Sequence, residues 1–150
     1  WQVYGDGAGL SRAVLNLLDN AAKWSPAGSV VVVRLGRINP THAELVVSDW
    51  GPGIPPQERA LVFERFYRST TARAMPGSGL GLAIVKQVVL KHGGALRIED
   101  TVPGGTPPGT SIHLVLPGRP SGVTATHRPS GLDVTGVTTE NEAARTGEEV

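Results

Sequence analysis

Apolar residues recur at helical spacing near the start of the chain and again beyond residue 80. From about 9 to 24 they repeat every three or four positions, which predicts an amphipathic helix that ends at Ser25-Pro26. Residues 80–91 are nearly all apolar, so we expect a second helix that is buried on more than one side. A shorter helical stretch is expected around 57–66, inside a segment dense in Gly, Pro and Arg.

Runs of β-branched residues predict the strands. The runs at 30–35 and 43–48 are separated by Asn39-Pro40 and are expected to pair with each other. Further strands are predicted at 2–4, 96–99 and 111–116. Strands and helices in this order predict an α/β fold, a two-layer sandwich in which a mixed, mainly antiparallel sheet carries its helices on one face.

Composition divides the 150 residues near Pro117. Residues 118–150 hold no aromatic side chain and few branched apolar ones, so we expect a folded domain over 1–117 and a disordered tail over 118–150. The formal net charge of +1 gives no global attraction to nucleic acid or to a membrane, and we expect this part to bind neither. Without Cys, a disulfide scaffold and a thiolate site are excluded. Because the sequence opens at Trp1 and has no long apolar run, we expect a soluble piece of a longer protein.

One side of the first predicted helix is polar. Asn16, Asn20 and Lys23 fall within about 60° of one another on the helical circumference, away from the apolar face. Amide oxygens suit a hard cation such as Mg²⁺, and an ammonium group suits a phosphate. Taken alone, the stripe is equally well explained as a solvated helix face.

Two further motifs are rich in glycine. Asp49 follows a predicted strand and opens a Gly-Pro-Gly turn, where its carboxylate can accept a hydrogen bond from an adenine amine or simply start the turn. The loop 77–82 runs into the second helix, and unhindered N–H groups at a helix start bind anions. No Gly-Lys-Ser/Thr follows and no strand precedes it, so it is neither a P-loop nor a dinucleotide fingerprint, and a plain hinge remains possible.

In this order, the motifs resemble the ATP-binding domain of sensor histidine kinases, the Bergerat (GHKL) family shared with gyrase, Hsp90 and MutL. The resemblance covers 1–117, and the wording of the motifs is most similar to mycobacterial membrane sensors. The segments similar to the family's boxes are 16–25 (N box), 49–53 (G1), 62–68 (F), 77–82 (G2) and 109–111 (last glycine box).

The resemblance implies a role for each matching position. The Mg²⁺ ligands would be Asn20 and, assisting it, Asn16. The phosphates of ATP would meet Lys23, Arg68, Gly77, Gly79, Leu80, Gly81 and Leu82. The adenine and ribose would meet Trp24, Asp49, Gly51, Gly53, Ile54 and Thr110. The catalytic set would be Asn20, Lys23 and Arg68, and residues 54–78 would form a lid.

Some positions depart from the motifs or stay open. Trp50 is expected to be partly exposed at the rim of the pocket, and no lid contact beyond Arg68 is assigned, since Arg73, Met75 and Ser78 match no fixed position. The four histidines are expected to be structural rather than phosphoacceptors: His42 in a hairpin, His92 at a helix end, His113 in a strand and His127 in the tail.

The function implied is a sensor kinase's catalytic domain that binds ATP and Mg²⁺. It would donate the γ-phosphate to a histidine on a separate dimerisation domain, from which it passes to an aspartate of a response regulator. The full protein would be a homodimer in a bacterial membrane, with this domain in the cytoplasm and unable to label itself. The alternatives are an ATP hydrolase or serine-kinase anti-sigma factor of the same fold, whose relatives carry Glu at the place of Asn16, and a non-catalytic binding module.

Overall fold

The computed structural model describes residues 1–69 and 77–120. Two helices and four strands follow one another along these residues, and two short 3-10 turns lie between the second strand and the second helix. The elements are α1 Gly7–Trp24, β1 Val32–Asn39, β2 His42–Asp49, the turns Pro56–Glu58 and Leu61–Phe63, α2 Gly81–Lys91, β3 Ala95–Glu99 and β4 Thr110–Pro117.

Helix α1 begins and ends where its sequence dictates. The Oδ1 atom of Asp6 accepts a hydrogen bond from the Gly9 N–H at 3.1 Å and so caps the first turn. The helix stops at Ser25, since the following Pro26 disfavours a helical conformation at the residue before it. The predicted helix over 9–24 is confirmed with a start two residues earlier.

The four strands form one sheet in the order β1-β2-β4-β3. Each of the three pairings is antiparallel, so the predicted two-layer sandwich is confirmed and the described sheet is antiparallel rather than mixed. In the central pairing Asp49, the last residue of β2, lies opposite Thr110, the first residue of β4. This register brings the last residue of β2 and the first residue of β4 together at the same end of the sheet.

The first few and last few described residues contact each other instead of forming the predicted strand at 2–4. The predicted strand at 2–4 is only an isolated bridge between Gln2 and Arg119. Arg119, which falls within the expected tail 118–150, exchanges two backbone hydrogen bonds with Gln2, of 2.9 and 3.0 Å. The remaining tail, 121–150, lies outside the described residues, as does the segment 70–76.

Both helices pack on one face of the sheet. The core between the layers joins Leu17 of α1, Val85 and Val89 of α2, and Leu114 of β4, all nearly inaccessible to solvent. Ala83 is also buried, and it lies about 200° around α2 from Val85, so the predicted burial on more than one side is confirmed. The predicted helical stretch at 57–66 is present only as the two 3-10 turns.

His92 joins the two helices at the end remote from the loop 77–80. Its Nε2 atom accepts a hydrogen bond from the Asp6 N–H at 2.9 Å, and its Nδ1 atom lies 2.7 Å from the Val88 carbonyl oxygen. The start of α1 is thereby tied to the end of α2, so the two helices run in opposite directions past each other.

The opposite face of the sheet carries charged side chains. Arg97 of β3 donates to Glu44 of β2 at 2.9 Å and to Glu99, and His113 of β4 lies between the two carboxylates. The Arg97 guanidinium, helped by His113, holds the pKa of Glu44 below its ordinary value. Among the described residues, this face carries ion pairs and no second layer of helices.

No helix in the described ranges is long and apolar enough to cross a membrane.

Replacing Leu114 by Ala is expected to lower the free energy of unfolding by about 2–5 kcal/mol, because the side chain is 1% exposed and its loss leaves a cavity between sheet and helices. The matched control is Leu35→Ala on edge strand β1, where the side chain is 76% exposed and the expected change stays within about 0.5 kcal/mol. Urea unfolding followed by circular dichroism measures both. Equal losses in the two variants would contradict this location of the core.

Candidate functional site

A cavity of about 420 Å³ opens between α1, the loop after β2 and the start of α2. Another cavity, of about 370 Å³, lies at the tip of the β1–β2 hairpin. The residues that line it are Asn16, Asp19, Asn20, Lys23, Trp24, Pro52, Gly53, Ile54, Val62, Tyr67, Arg68, Ser69, Gly77, Ser78, Gly79, Gly81, Leu82 and Thr110.

The polar stripe of α1 forms one wall of this cavity. Asn16, Asn20 and Lys23 all line it, because the opposite side of the helix, with Ala13, Leu17 and Ala21, is buried in the core. The Nδ2 atom of Asn16 is buried and has no hydrogen-bond partner among the described residues. A buried amide that lacks a partner costs free energy unless a ligand supplies one. The solvated-face interpretation of the stripe therefore does not fit its surroundings.

Asp49 lies beneath the cavity rather than in its lining. Its side chain is 2% exposed, and Oδ1 accepts hydrogen bonds from the Gly51 N–H at 2.8 Å and the Thr110 N–H at 3.2 Å. Burial raises the pKa of this carboxyl group, and the two backbone donors only partly offset that effect. Both bonds go to Oδ1, which leaves Oδ2 to a ligand that reaches the floor.

Trp50 does not have its predicted place at the rim. The side chain is partly exposed, at 39%, but it does not line the cavity. Its Nε1–H donates to the Val30 carbonyl oxygen at 2.8 Å, which turns the indole toward the segment before β1. The sequence does not reveal which group accepts this N–H, so the direction in which the indole points could not be predicted.

The opposite end of the cavity is formed by backbone at the start of α2. No side chain of the described residues caps this helix, so its first N–H groups are available to an anion. Gly79 has a φ of +70°, and a Cβ there would come within 3.0 Å of the Phe66 backbone, so only glycine fits. The Phe66 N–H donates to the Gly79 carbonyl oxygen at 3.0 Å, which fixes the loop beside Arg68.

Lys23 reaches this same end from α1. Its Nζ atom lies 5.5 Å from the centroid of the Trp24 ring and 2.8 Å from the point where a Cβ on Gly77 would be. The Lys23 ammonium thus lies beside the loop that leads into α2, and Arg68 lines the same cavity. This arrangement suits a phosphate chain.

Most of the predicted site residues line one cavity. The exceptions are Asp49 and Gly51, which lie below it, and Leu80, whose neighbours line it. Arg73 and Met75 lie outside the described residues, and so does His127. The other histidines are where they were expected, in the hairpin, at the end of α2 and in β4, and none of these three lines the cavity.

Several lining residues carried no predicted role. Asp19 falls about 60° from Asn16 on the α1 circumference, so the same helical-wheel calculation identifies it. Tyr67 and Ser78 lie inside matched motifs, next to residues that were assigned a role, and this position in the sequence could have identified them. Pro52 and Val62 also lie inside matched motifs, and Ser69 falls only within the expected lid, 54–78.

Comparison with known proteins gives consistent matches. The family described as histidine kinase-, DNA gyrase B- and HSP90-like ATPase matches residues 5–120. The signal transduction histidine-protein kinase/phosphatase MprB of Mycolicibacterium vanbaalenii is 84% identical over 133 residues, which are 89% of this chain and 26% of that protein. MprB of Mycobacterium leprae is 75% identical over 125 residues, 83% of this chain and 24% of its own length. The chain thus spans about a quarter of the length of these curated relatives.

Solved structures agree with the sequence matches. A mycobacterial sensor histidine kinase MprB is 74% identical with a TM-score of 0.77, and the match covers 80% of this chain and 79% of that one. Full-length ShkA, solved in complex with AMPPNP, is 31% identical with a TM-score of 0.63 over 76% of this chain and 22% of that one. The match to mycobacterial sensors confirms the predicted resemblance, and this chain belongs to the histidine kinase-, DNA gyrase B- and HSP90-like ATPase family, among relatives of the MprB sensor kinases.

Proposed function

We propose that this chain binds ATP together with Mg²⁺ and donates the γ-phosphate to a histidine on a separate phosphoacceptor domain. One observation carries the proposal: a buried carboxylate with a spare oxygen lies beneath the cavity, and a lysine, an arginine and an open helix start line the cavity itself. This polarity matches a molecule with a hydrogen-bonding base at one end and phosphates at the other.

The base would occupy the end above Asp49. Its Oδ2 would accept a hydrogen bond from the exocyclic amine of adenine, because Oδ1 is already engaged by Gly51 and Thr110. Ile54 and Trp24 would contact the faces of the base or the ribose, with Gly53 allowing close approach. In a site shielded from water such a charged hydrogen bond is stronger than one at the surface.

The phosphates would occupy the other end. Lys23, Arg68 and the backbone of 77–82 would surround them, as their positions around the cavity support. Asn16 and Asn20 line the same space, and side-chain amide oxygens are donors that Mg²⁺ prefers. The described residues contain no group of three or more His, Cys, Asp or Glu for a metal, which fits an ion held jointly by Asn20, Asn16 and a ligand's phosphates. When bound, Mg²⁺ would neutralise charge on the transferred phosphate.

Phosphoryl transfer to a neutral imidazole needs positioning and charge neutralisation rather than a general base. Asn20, Lys23 and Arg68 would supply both functions. Position 16 is an amide, which cannot take a proton from water, and this favours the kinase over the hydrolase alternative. Asp19 lines the cavity as well, so its carboxylate needs a direct test.

The partners follow from the relatives, which are named as histidine-protein kinase/phosphatase. We infer a homodimeric membrane sensor whose dimerisation domain carries the phosphoacceptor histidine, and a response regulator whose aspartate receives the phosphate. This chain would work on the cytoplasmic side.

Asp49→Asn is expected to weaken ATP binding by about 1.5–3 kcal/mol, because adenine loses a charged acceptor. The fold should survive. The folded state raises the carboxyl pKa above its ordinary 3.8, so the wild-type group contributes stability at low pH that is lost as the pH rises through the folded pKa. The neutral amide has no such loss. The difference in unfolding free energy should therefore move in favour of the variant between about pH 4 and pH 7.

Calorimetry measures the affinity, and urea unfolding at the two pH values measures the stability. The matched control is Glu64→Gln, which removes an exposed carboxylate outside the cavity and should change neither ATP affinity nor the pH dependence. Unchanged ATP affinity in Asp49→Asn would remove Asp49 from the site.

The chain is expected to bind ATP·Mg²⁺, to hydrolyse it negligibly, and to phosphorylate a supplied histidine domain. Asn20→Ala should abolish that transfer and the Mg²⁺ dependence of binding, because the main metal ligand is gone. Asn16→Glu should not raise transfer and should introduce slow hydrolysis, since it adds a base beside the γ-phosphate. Phosphate release and labelling of the histidine domain are measured in parallel.

Asp19→Asn is the control for this experiment and should keep the transfer. Robust hydrolysis by the unmodified chain, with no labelling of any histidine, would overturn the kinase proposal. If that hydrolysis disappeared in Asp19→Asn, Asp19 would be its base and the hydrolase alternative would stand. Absence of any Mg²⁺-dependent nucleotide binding would favour the non-catalytic module.

A further inference from the structure

Arg59 connects two loops that are far apart in the sequence. It follows the 3-10 turn Pro56–Glu58, and its Nε–H donates to the Ile54 carbonyl oxygen at 3.0 Å. Its Nη2 donates to the Asp100 carboxylate at 2.5 Å, and its Nη1 lies 3.5 Å from the Ile98 carbonyl oxygen. The side chains of Arg59 and Asp100 are only 25% and 32% exposed. One guanidinium therefore fastens the segment after β2 to the end of β3.

These same two loops meet again beside the cavity. A Cβ on Gly53 would come within 2.5 Å of Pro108 and 3.2 Å of the Gly109 carbonyl oxygen, so the loops are in direct contact there. The Gly109 N–H also donates to the Gly51 carbonyl oxygen at 3.1 Å. The loop 100–109 thus supports the part of the cavity that lies above Asp49, although no residue of that loop lines it.

The two sets of contacts work as one brace. The hydrogen bond at Gly51 and the close packing of Gly53 against Pro108 hold the loops together near Asp49, and Arg59 fixes them from the other side. The planar, forked guanidinium of Arg59 reaches two carbonyl oxygens and a carboxylate at once, and the single ammonium group of a lysine could not replace it. Arg59 also differs from an exposed surface pair, because part of its environment excludes water.

We propose that Arg59, held by Asp100, is a positioning residue that sets the separation of the loops 51–54 and 100–109 and thereby the selectivity of the cavity for adenine. This inference rests on the nucleotide binding proposed above. Arg59 does not line the cavity, so it acts through Ile54 and Gly53 and not through contact with the ligand. Loss of these contacts should reduce the preference of the cavity for adenine over other bases and leave the affinity for the phosphate groups unchanged.

The test compares affinities for ATP and GTP in the presence of Mg²⁺. GTP offers a carbonyl oxygen where ATP offers an amine, so Asp49 discriminates against it only when the base is held in register. Arg59→Ala should lower the ratio of ATP to GTP affinity by about threefold to tenfold, and Arg59→Lys should fall between it and the wild type. Affinity for inorganic triphosphate, which reports the phosphate end alone, should stay the same.

The matched control is Arg97→Ala, which also removes an ion-paired arginine but on the opposite face of the sheet, where Arg97 pairs with two carboxylates. It should leave the affinity ratio unchanged even where it lowers stability. If Arg59→Ala fails to fold, Asp100→Asn removes the charge with little change of shape and should lower the ratio in the same direction.

The outcomes separate the two proposals. An unmodified chain that binds ATP, together with an unchanged ratio in Arg59→Ala or in its substitute Asp100→Asn, would overturn the brace and leave the proposed function standing. A fall in triphosphate affinity as large as the fall in ATP affinity would show a general loss of structure and would also overturn it. An unmodified chain that binds no nucleotide would overturn the proposed function and this inference together.

Discussion

The pairing of β2 with β4 governs the arrangement of the site. It ends with Asp49 opposite Thr110, and the Thr110 N–H donates to the Asp49 side chain. A carboxylate that is 2% exposed is tolerated because two backbone N–H groups meet one of its oxygens. A slip of the pairing by one residue would turn this side chain to the other face of the sheet, which carries Glu44 and Glu99, and the floor of the cavity would be lost.

The two helices form walls of the cavity and also supply apolar side chains to the hydrophobic core. One side of α1 packs with Leu17 against the sheet, and the side with Asn16, Asn20 and Lys23 is left for the cavity. Helix α2 contributes its uncapped start and Leu82, which lines the cavity and also packs against the core. Packing and binding therefore use different sides of α1 but share Leu82 in α2.

The sequence predicts the parts of this structure that depend on local pattern. Helical spacing locates α1 to within two residues and places Asn16, Asn20 and Lys23 together, because neighbours on a helix face are fixed by geometry. The family resemblance supplies Asp49, whose burial no periodicity reveals. Contacts between distant segments could not be predicted. Trp50 turns to Val30, 20 residues away, and Arg59 reaches Asp100 across 41 residues, so each partner is decided by the fold.

The double hydrogen bonding of His92 has a consequence for its chemistry. The ring accepts a hydrogen bond from the Asp6 N–H through Nε2, so Nε2 carries no proton, and Nδ1 beside the Val88 carbonyl oxygen must carry one. Only the neutral ring in this tautomer satisfies both neighbours. A second proton on Nε2 would set two N–H groups against each other at the junction of α1 and α2. The junction of α1 with the end of α2 thus specifies one tautomer of a half-buried imidazole, and packing in the hydrophobic core aligns the rest of the two helices.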